Sequence, residues 1–232
     1  MLNFDFPDNL ILGISEKSQG NMRVFRKKDH ADTIHNREVF FSPLNKKVIA
    51  ADLVHGNRVV RVDDATDDII ASCDALVTNN PELVLSITVA DCLPVYFYDQ
   101  ENKVVGLAHA GWRGVESGIV KEVVKIFKNN YGSLASDISV FIGPHIGACH
   151  FEVGDEVVEK FSLWSEFILE REGKTFIDLA GIIKRQLLDV GLVDVSISSE
   201  CTYCLRHKYF SYRRDNPVLD NLEVVTAYIG LK

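Results

Sequence analysis

Two apolar runs of this chain each end in a reactive side chain and a chain-breaking residue. The first, Leu83–Val89, leads into Asp91 and Cys92, and a proline follows two residues later. The second, residues 103–108, ends at His109 and continues into Gly-Trp-Arg-Gly. Short apolar runs bounded by turn residues are typical of buried β-strands. The pattern therefore predicts two strands whose ends carry a thiol and an imidazole, where side chains of different strands can converge on a pocket.

A third apolar run delivers another imidazole. Residues 47–54 run directly into His55, which precedes a glycine. Two imidazoles and one thiolate suit zinc, and three protein ligands leave a fourth position open, as in catalytic zinc sites. The same set of His55, Cys92 and His109 would also bind copper. The three residues are far apart in the sequence, so their spacing alone does not define a site, and a buried thiol with two turn histidines is the alternative.

The same residues also permit chemistry without a metal. Cys92 would be a nucleophile and His109 its base, with Asp91 or Asp74 as the group that orients the imidazole. That arrangement is typical of a cysteine hydrolase. The residues taken by themselves leave both interpretations open.

The remaining pattern determines the fold class. Apolar residues recur at helical spacing in several segments. The predicted helices begin near Thr33 and cover residues 118–131, 153–161 and 177–190, the last with Asp178 as its N-cap. Strands and helices alternate, but several strands would be hairpin neighbours. The sequence therefore predicts an α/β fold, with a single domain over residues 1–232 and a mixed central β-sheet flanked by helices.

The overall composition excludes several classes of protein. The 232 residues are 47% hydrophobic and 25% charged, an ordinary globular balance. A net charge of -8 argues against nucleic-acid binding. No apolar run approaches the roughly 18 residues that span a bilayer, and the N-terminus lacks the features of a secretory signal. The five cysteines are irregularly spaced, which argues against a disulfide framework. We therefore expect a cytoplasmic protein with reduced thiols and no membrane association.

Two further segments are candidates for substrate contacts. The glycines around Trp112 and Arg113 indicate tight backbone near a ligand, and Arg113 could bind phosphate or carboxylate with two parallel hydrogen bonds. The alternative is a structural arginine paired with a surface acid. Residues 209–215 place arginines behind aromatic side chains, which suits a base and a phosphate but also a charged turn. The lone Cys201-x-x-Cys204 gives only weak support for a zinc ribbon or a redox site.

Several segments together carry a resemblance to a known family. They are VHG at 54–56, CDALVT at 73–78, TVADCLP at 88–94, AHAGWRG at 108–114, IGP at 142–144, FEVG at 151–154, CTY at 201–203 and FSYRRD at 210–215. The chain thereby resembles the laccase-domain family, also called multicopper polyphenol oxidase-like proteins. That family is associated with purine nucleoside phosphorylase activity and, in a bacterial branch, with editing of peptidoglycan precursors. Its α/β fold is grouped with cysteine hydrolase-like folds.

The resemblance implies a function for particular residues. It makes His55, Cys92 and His109 the ligands of a catalytic metal, Zn²⁺ with copper as a second possibility. The implied reactions are phosphorolysis of adenosine, inosine or 5'-methylthioadenosine and deamination of adenosine. The implied partners are therefore a purine nucleoside and phosphate, bound by a monomer or homodimer. We assign the remaining candidate roles as follows: acid–base or metal-supporting, Asp91; anion binding, Arg113 and Arg213; base stacking, Trp112 and Tyr212.

The chain departs from the family pattern on the expected substrate side. The family usually has Ser-x-Arg-x-Gly-Gly near its N-terminus, whereas residues 13–20 here keep the serine and one glycine and offer Lys17 for the arginine. Residues 218–221 replace a Gly-Arg pair. Copper-dependent oxidation of phenols ranks below nucleoside chemistry, because seven scattered histidines cannot supply the clusters of a multicopper oxidase.

Overall fold

The computed structural model describes residues 9–24, 31–64, 67–215 and 221–232. Within these ranges the chain forms fourteen β-strands and six α-helices. The strands are β1 Leu10–Ile14, β2 Lys47–Ala51, β3 Val59–Arg61, β4 Ile69–Ile70, β5 Ala75–Thr78, β6 Leu83–Val89, β7 Leu93–Asp99, β8 Val104–Ala110, β9 Ile138–Ile142, β10 Glu152–Val153, β11 Ile168–Arg171, β12 Lys174–Ile177, β13 Val195–Ile197 and β14 Val225–Leu231. The helices are α1 Ala31–Phe41, α2 Trp112–Glu116, α3 Ile119–Tyr131, α4 Asp155–Lys160, α5 Leu179–Asp189 and α6 Tyr212–Asp215.

The strands are divided between two large mixed sheets. A five-stranded sheet has the order β1-β14-β6-β2-β4, and a six-stranded sheet has the order β13-β9-β7-β8-β5-β3. A small antiparallel sheet has the order β10-β12-β11. The predicted α/β class with mixed pairing is confirmed, although one central sheet was expected. Continuous apolar runs identify buried strands, but they carry no information about which of two stacked sheets a strand joins.

Side-chain alternation builds a layered core. Leu85 and Ile87 of β6 pack with Leu107 of β8 between the two large sheets. The next residue of β8, Ala108, points to the opposite face and packs in the cluster that contains Phe127 of α3 and helix α5. Helix α1 packs on the other face of the five-stranded sheet, where Phe41 contacts Tyr228 of β14. Each large sheet is therefore covered on both faces, as its apolar strands require.

Most predicted helices form with small changes at their ends. Helix α3 ends at Gly132 in the left-handed conformation, and Asp178 caps α5 by accepting a hydrogen bond from the amide of Gly181 at 3.0 Å. The helix expected near Thr33 already includes Ala31. No helix in the described ranges is long and apolar enough to cross a membrane.

The helix predicted over residues 153–161 was wrong at its start. Val153 pairs with Thr175 in the small sheet, and α4 begins only at Asp155. The hairpin of β11 and β12 was not predicted. Most of its side chains are exposed or half-buried, so the hairpin lacks the apolar alternation by which a strand is found in a sequence.

The strand directions bring the candidate site together. Strands β2 and β6 are parallel neighbours, so their carboxyl ends meet at one edge of the five-stranded sheet. His55 lies in the loop after β2, and Cys92 lies in the turn after β6. His109 is opposite Pro94 near the end of β8, and alternation places its side chain on the same face as Leu107, toward the five-stranded sheet.

The close approach of α3 to β8 depends on a glycine. A Cβ atom at Gly106 would lie 2.9 Å from the Phe127 ring and 3.4 Å from the Phe97 Cβ. We expect Gly106→Ala to lower the free energy of unfolding by about 1–3 kcal/mol, because Phe127 must move within a filled core. Urea unfolding measures the change. Adding Phe127→Leu should make the double variant more stable than the sum of the two single changes predicts, whereas strict additivity would contradict this packing.

Candidate functional site

Three side chains from distant parts of the sequence meet at one point. The donor atoms of His55, Cys92 and His109 all lie within 4.8 Å of one another, which we call the triad. The rings of His55 and His109 meet edge to face, with centroids 4.8 Å apart and planes at 88°. The structure thus brings together the three residues that the sequence singled out. Two imidazole nitrogens and one sulfur at this separation could hold a metal ion.

The buried carboxylate of Asp74 organises the triad. Its Oδ1 lies 2.9 Å from the His109 Nδ1 and accepts a hydrogen bond from the His55 amide at 2.8 Å. Its Oδ2 accepts a hydrogen bond from the Gly56 amide at 2.7 Å. Because Nδ1 of His109 is engaged, Nε2 is the nitrogen that faces the triad. Of the two orienting groups that the sequence offered, Asp74 occupies that place.

Two backbone features allow the three side chains of the triad to lie close together. His55 has a left-handed conformation with φ of 60°, which is unusual for a residue with a side chain. The hydrogen bonds of Asp74 to the amides on either side of this conformation support it. A Cβ atom at Gly111 would lie 3.2 Å from the Cys92 sulfur and 3.3 Å from His55 Cδ2. Only glycine leaves the triad undisturbed there.

The electrostatics favour a thiolate. Burial by itself would raise the pKa of Cys92, but the adjacent His109 and His55 outweigh it and lower the pKa to about 6. Burial would likewise lower the pKa of His109, whereas Cys92 and Asp74 raise it to about 9. Burial opposes the charge on Asp74 too, yet its hydrogen bonds keep its pKa below the usual value. The thiolate is the form that binds metals and attacks electrophiles.

The triad borders a cavity of about 660 Å³. This volume suits a small organic ligand. Of the described residues, three arginines and three acids line it together with many apolar side chains. The arginines are Arg23, Arg113 and Arg213; the acids are Asp52, Asp91 and Glu152; the apolar residues include Val24, Leu53, Trp112, Ile146, Phe151, Val153, Val157, Leu179, Leu222 and Val224.

Trp112 and Arg113 lie inside a helix. The sequence predicted tight backbone here and a helix only from residue 118, but α2 begins at Trp112 itself, and Gly111 is its N-cap. The Arg113 guanidinium stacks over the Trp112 ring at 4.1 Å from the centroid. Within the described ranges no carboxylate forms an ion pair with Arg113, unlike the arginine paired with a surface acid that was the alternative. A stacked guanidinium without an acid partner is available to an anion in the cavity.

Asp91 lines the cavity and holds a neighbouring segment of its wall in place. Its Oδ1 accepts a hydrogen bond from the Thr202 hydroxyl at 2.7 Å. Its Oδ2 accepts from the Ser211 hydroxyl at 3.0 Å and from the Arg213 amide at 2.7 Å. Burial raises the pKa of Asp91, and these three donors oppose that change. The carboxylate next to Cys92 in the sequence is therefore hydrogen-bonded to the segment that carries Tyr212 and Arg213.

Tyr212 and Arg213 both line the cavity. Tyr212 is 45% exposed, so its ring is accessible to a ligand. The Arg213 guanidinium donates a hydrogen bond to the Glu152 carbonyl at 2.6 Å and lies over the Phe151 ring. Arg213 therefore joins two walls of the cavity in addition to presenting positive charge.

Among the residues that the structure describes, Arg23 is the N-terminal cation that lines the cavity. Lys17, expected in the place of a family arginine, lies over the Phe210 ring at 5.1 Å and does not line the cavity. The signal for Arg23 was weak, because it lies in a segment without strand or helix periodicity. Of the departure at residues 218–221, positions 218–220 lie outside the described residues, but Leu222 and Val224 line the cavity.

Comparisons with known proteins show which proteins this chain is similar to. The family model described as multi-copper polyphenol oxidoreductase laccase matches residues 12–221. A purine nucleoside phosphorylase of Clostridium acetobutylicum is 32% identical, over 90% of this chain and 87% of that protein. The purine nucleoside phosphorylase YfiH of Escherichia coli K12 is 34% identical, over 81% of this chain and 76% of that protein. The crystal structure of the hypothetical protein YfiH of Bacillus licheniformis has a TM-score of 0.88 at 30% identity, covering 96% of this chain and 93% of that one.

The support that Asp74 gives to the triad can be tested directly. If the triad binds a metal ion, we expect Asp74→Asn to weaken its affinity for Zn²⁺, used as the probe, about 10–100-fold, because the carboxylate fixes the ring and raises the basicity of His109. Competition with a chromophoric chelator measures the affinity. The exposed carboxylate of Asp67 provides the matched control, and Asp67→Asn should bind zinc like the unchanged protein. An unaltered affinity in folded Asp74→Asn would contradict this role.

Proposed function

Since this chain belongs to the laccase-like family, in which similar proteins are named purine nucleoside phosphorylases, we propose that it is a zinc-dependent purine nucleoside phosphorylase. The family resemblance predicted from the sequence is confirmed. The observation that carries the proposal is the position of the triad at a cavity with arginines and apolar walls. The substrates proposed are adenosine, inosine or 5'-methylthioadenosine with phosphate.

The donor set of the triad fits zinc. Two nitrogens and one sulfur lie within 4.8 Å of one another, and the lowered pKa of Cys92 favours the thiolate that zinc prefers. His55, Cys92 and His109 would hold the ion and leave one position open. Bound there, zinc would polarise an oxygen nucleophile and stabilise negative charge developing on it. Copper would fit the same donors, and the metal identity is part of the proposal.

The cavity walls match the two parts of the substrate pair. The apolar residues suit a purine, and the rings of Trp112 and Tyr212 offer flat surfaces for stacking. Phosphate requires cations, which Arg113 and Arg23 supply in a protein of net charge -8. The Arg113 guanidinium can bind two phosphate oxygens at once. Because it is already stacked on Trp112, its side chain loses little conformational entropy when phosphate binds.

In phosphorolysis a phosphate oxygen forms a bond to the anomeric carbon of the ribose. The bond from that carbon to the purine nitrogen breaks, and the purine leaves with the electron pair and takes up a proton. Arg113 holds the phosphate in line with the carbon, and Asp74 fixes the ring of His109. Asp91 acts as a positioning residue, because its three hydrogen bonds hold Tyr212 and Arg213 at the cavity. Deamination, in which water attacks purine C6 and ammonia leaves, is a second proposed activity.

A cysteine hydrolase is the second candidate, and one observation favours it. Cys92, His109 and Asp74 form a nucleophile, base and orienting acid in the order that such enzymes use. The metal proposal ranks higher because His55 places a third donor against the same sulfur. A cysteine nucleophile with its histidine base does not require His55 at that position. Phenol oxidation ranks below both, because the triad supplies two histidines where multicopper sites use many more.

A product assay tests the proposed reaction. We expect protein purified without chelators to convert adenosine and phosphate to adenine and a ribose phosphate, detected by chromatography. Cys92→Ser and His109→Ala should lower the rate at least about 100-fold, since loss of the ion removes several kcal/mol of charge stabilisation. Cys73→Ala, which removes a buried thiol outside the triad, is the control and should keep the activity.

Two outcomes would contradict the proposal. Folded protein with a full complement of zinc that releases no purine from any of the three nucleosides would exclude the phosphorylase. Folded protein that binds no metal but hydrolyses an ester or amide through Cys92 would make the cysteine hydrolase the correct interpretation.

The role of Arg113 is separately testable. We expect Arg113→Ala to raise the KM for phosphate about 10–100-fold and to change the KM for the nucleoside much less, because a charge-assisted pair of hydrogen bonds is lost. Arg113→Lys should have a KM for phosphate between those of the unchanged protein and Arg113→Ala, since lysine keeps the charge but cannot form two parallel hydrogen bonds. Steady-state kinetics with either substrate varied supply the measurement. Arg206→Ala removes an exposed arginine outside the cavity and should change neither KM, and an equal phosphate KM in all variants would exclude this role.

A further inference from the structure

A second group of metal-binding side chains shares no residue with the triad. Cys149 and His150 follow a turn after β9 that is bounded by Gly143 and Gly147. Cys201 and Cys204 form the CxxC motif for which the sequence showed no partner. All four donor atoms lie within 4.8 Å of one another. The other two ligands of the CxxC site are thus a neighbouring Cys-His pair, with Cys149 55 residues before Cys204. The spacing patterns typical of zinc ribbons do not include this combination.

The distances in this cluster match the edges of a tetrahedron around zinc. Typical Zn–S and Zn–N bonds of about 2.3 and 2.0–2.1 Å imply sulfurs about 3.8 Å apart and sulfur–nitrogen edges of about 3.5 Å. The sulfurs of Cys149 and Cys204 are 3.9 Å apart. The Nδ1 of His150 lies 3.2 Å from the Cys149 sulfur and 3.4 Å from that of Cys204. Three of the six edges of the cluster therefore already have the lengths expected around zinc, and the Cys201 sulfur lies within 4.8 Å of the other three donors.

The surrounding backbone holds these donors in place. The Gly147 amide donates a hydrogen bond to the Cys201 sulfur at 3.3 Å, an interaction that supports a thiolate ligand. A Cβ atom at Gly147 would lie 3.2 Å from the Cys149 sulfur, so glycine is needed for the approach. The His150 ring stacks on Tyr203 with centroids 3.9 Å apart, which fixes its orientation. Cys201 also forms a parallel bridge with His145.

From this geometry we propose that Cys149, His150, Cys201 and Cys204 bind a structural zinc ion. Three thiolates and one imidazole complete a tetrahedral site and leave no position open, which distinguishes it from the triad with its three donors. A zinc ion also accounts for four donors from two separate segments in one place. The expectation from sequence, a weak CxxC, is thereby replaced by a complete Cys₃His set.

The proposed ion would join two segments that form the cavity wall. The segment around Cys149 contributes Ile146 and Phe151 to the lining, and the segment after Cys204 contributes Arg213. Thr202, inside the CxxC, donates its hydroxyl to Asp91. The ion would thus hold the wall of the cavity in position without touching the substrate.

A disulfide is the competing interpretation of the same thiols. Cys149 and Cys204 are both exposed, and their sulfurs would have to move from 3.9 Å to about 2.05 Å apart with loss of two electrons to an oxidant. Such a bond would leave His150 and Cys201 without a function. Zinc uses all four donors and needs no oxidant.

Metal analysis of single-residue variants tests the proposal. Protein purified with a reductant and without chelators should contain about two zinc ions per chain, one at each cluster. Cys204→Ser should contain about one, Cys92→Ser should contain about one, and the double variant should contain almost none. Cys73→Ala, a thiol outside both clusters, should keep both ions. Because Cys204 is exposed, its replacement leaves the core intact, and circular dichroism verifies the fold.

Cobalt substitution identifies the ligands independently of activity. In the Cys92→Ser background, one bound Co²⁺ should give the intense visible bands and sulfur-to-cobalt charge-transfer absorption of a tetrahedral three-thiolate site. The charge-transfer absorption should fall by about a third or more when Cys204→Ser is added, since one of three thiolates is lost. This spectrum does not depend on nucleoside turnover. The structural zinc site and the phosphorylase activity are therefore tested independently.

Two results would overturn the inference. The first is that Cys201→Ser and Cys204→Ser change neither the zinc content nor the cobalt spectrum. The other is a Cys149–Cys204 disulfide, found by mass spectrometry of protein purified anaerobically with a reductant.

Discussion

The carboxylate of Asp74 is the contact on which the site depends. It is fully buried, and its burial costs free energy unless its oxygens are well hydrogen-bonded. Those bonds come from the loop after β2 and from the imidazole on β8, which belong to different sheets. One side chain therefore fixes how the edges of the two large sheets face each other. The positions of His55 and His109, and the charge on Cys92 between them, follow from that constraint.

Sequence pattern predicted the elements better than their assembly. Strands β6 and β9 and helix α3 are found where their apolar periodicity placed them, because burial of one face or of a whole strand leaves a local signal. The division into two stacked sheets depends on pairings such as β2 with β6, which join residues far apart in sequence and leave no local trace. The exposed hairpin of β11 and β12 carries no burial signal at all.

The candidate site shows the same limit. His55, Cys92 and His109 stood out as strand-end residues that together suit a metal, but a nucleophile and its base remained an equal interpretation until the family resemblance favoured the metal. Asp74 was offered as an orienting group on equal terms with Asp91, since its hydrogen bonds are made to residues distant in sequence. Arg23 lies in a segment without periodicity. The partners of the CxxC were missed for a similar reason, because Cys149 and His150 reach it through a turn whose path a sequence does not reveal.

The two buried aspartates of the candidate site, Asp74 and Asp91, determine which parts of the site can change independently. Asp74 supports the donors of the triad, whereas Asp91 supports the segment that brings Tyr212 and Arg213 to the cavity. The reactive centre and the selectivity of the cavity are thus held by separate hydrogen-bond networks. Substitutions around Arg23 or Leu222 can reshape the cavity while the triad stays intact. A chain built this way can change which ligand fits its cavity without changing the triad, which fits departures from the family pattern that fall outside the triad.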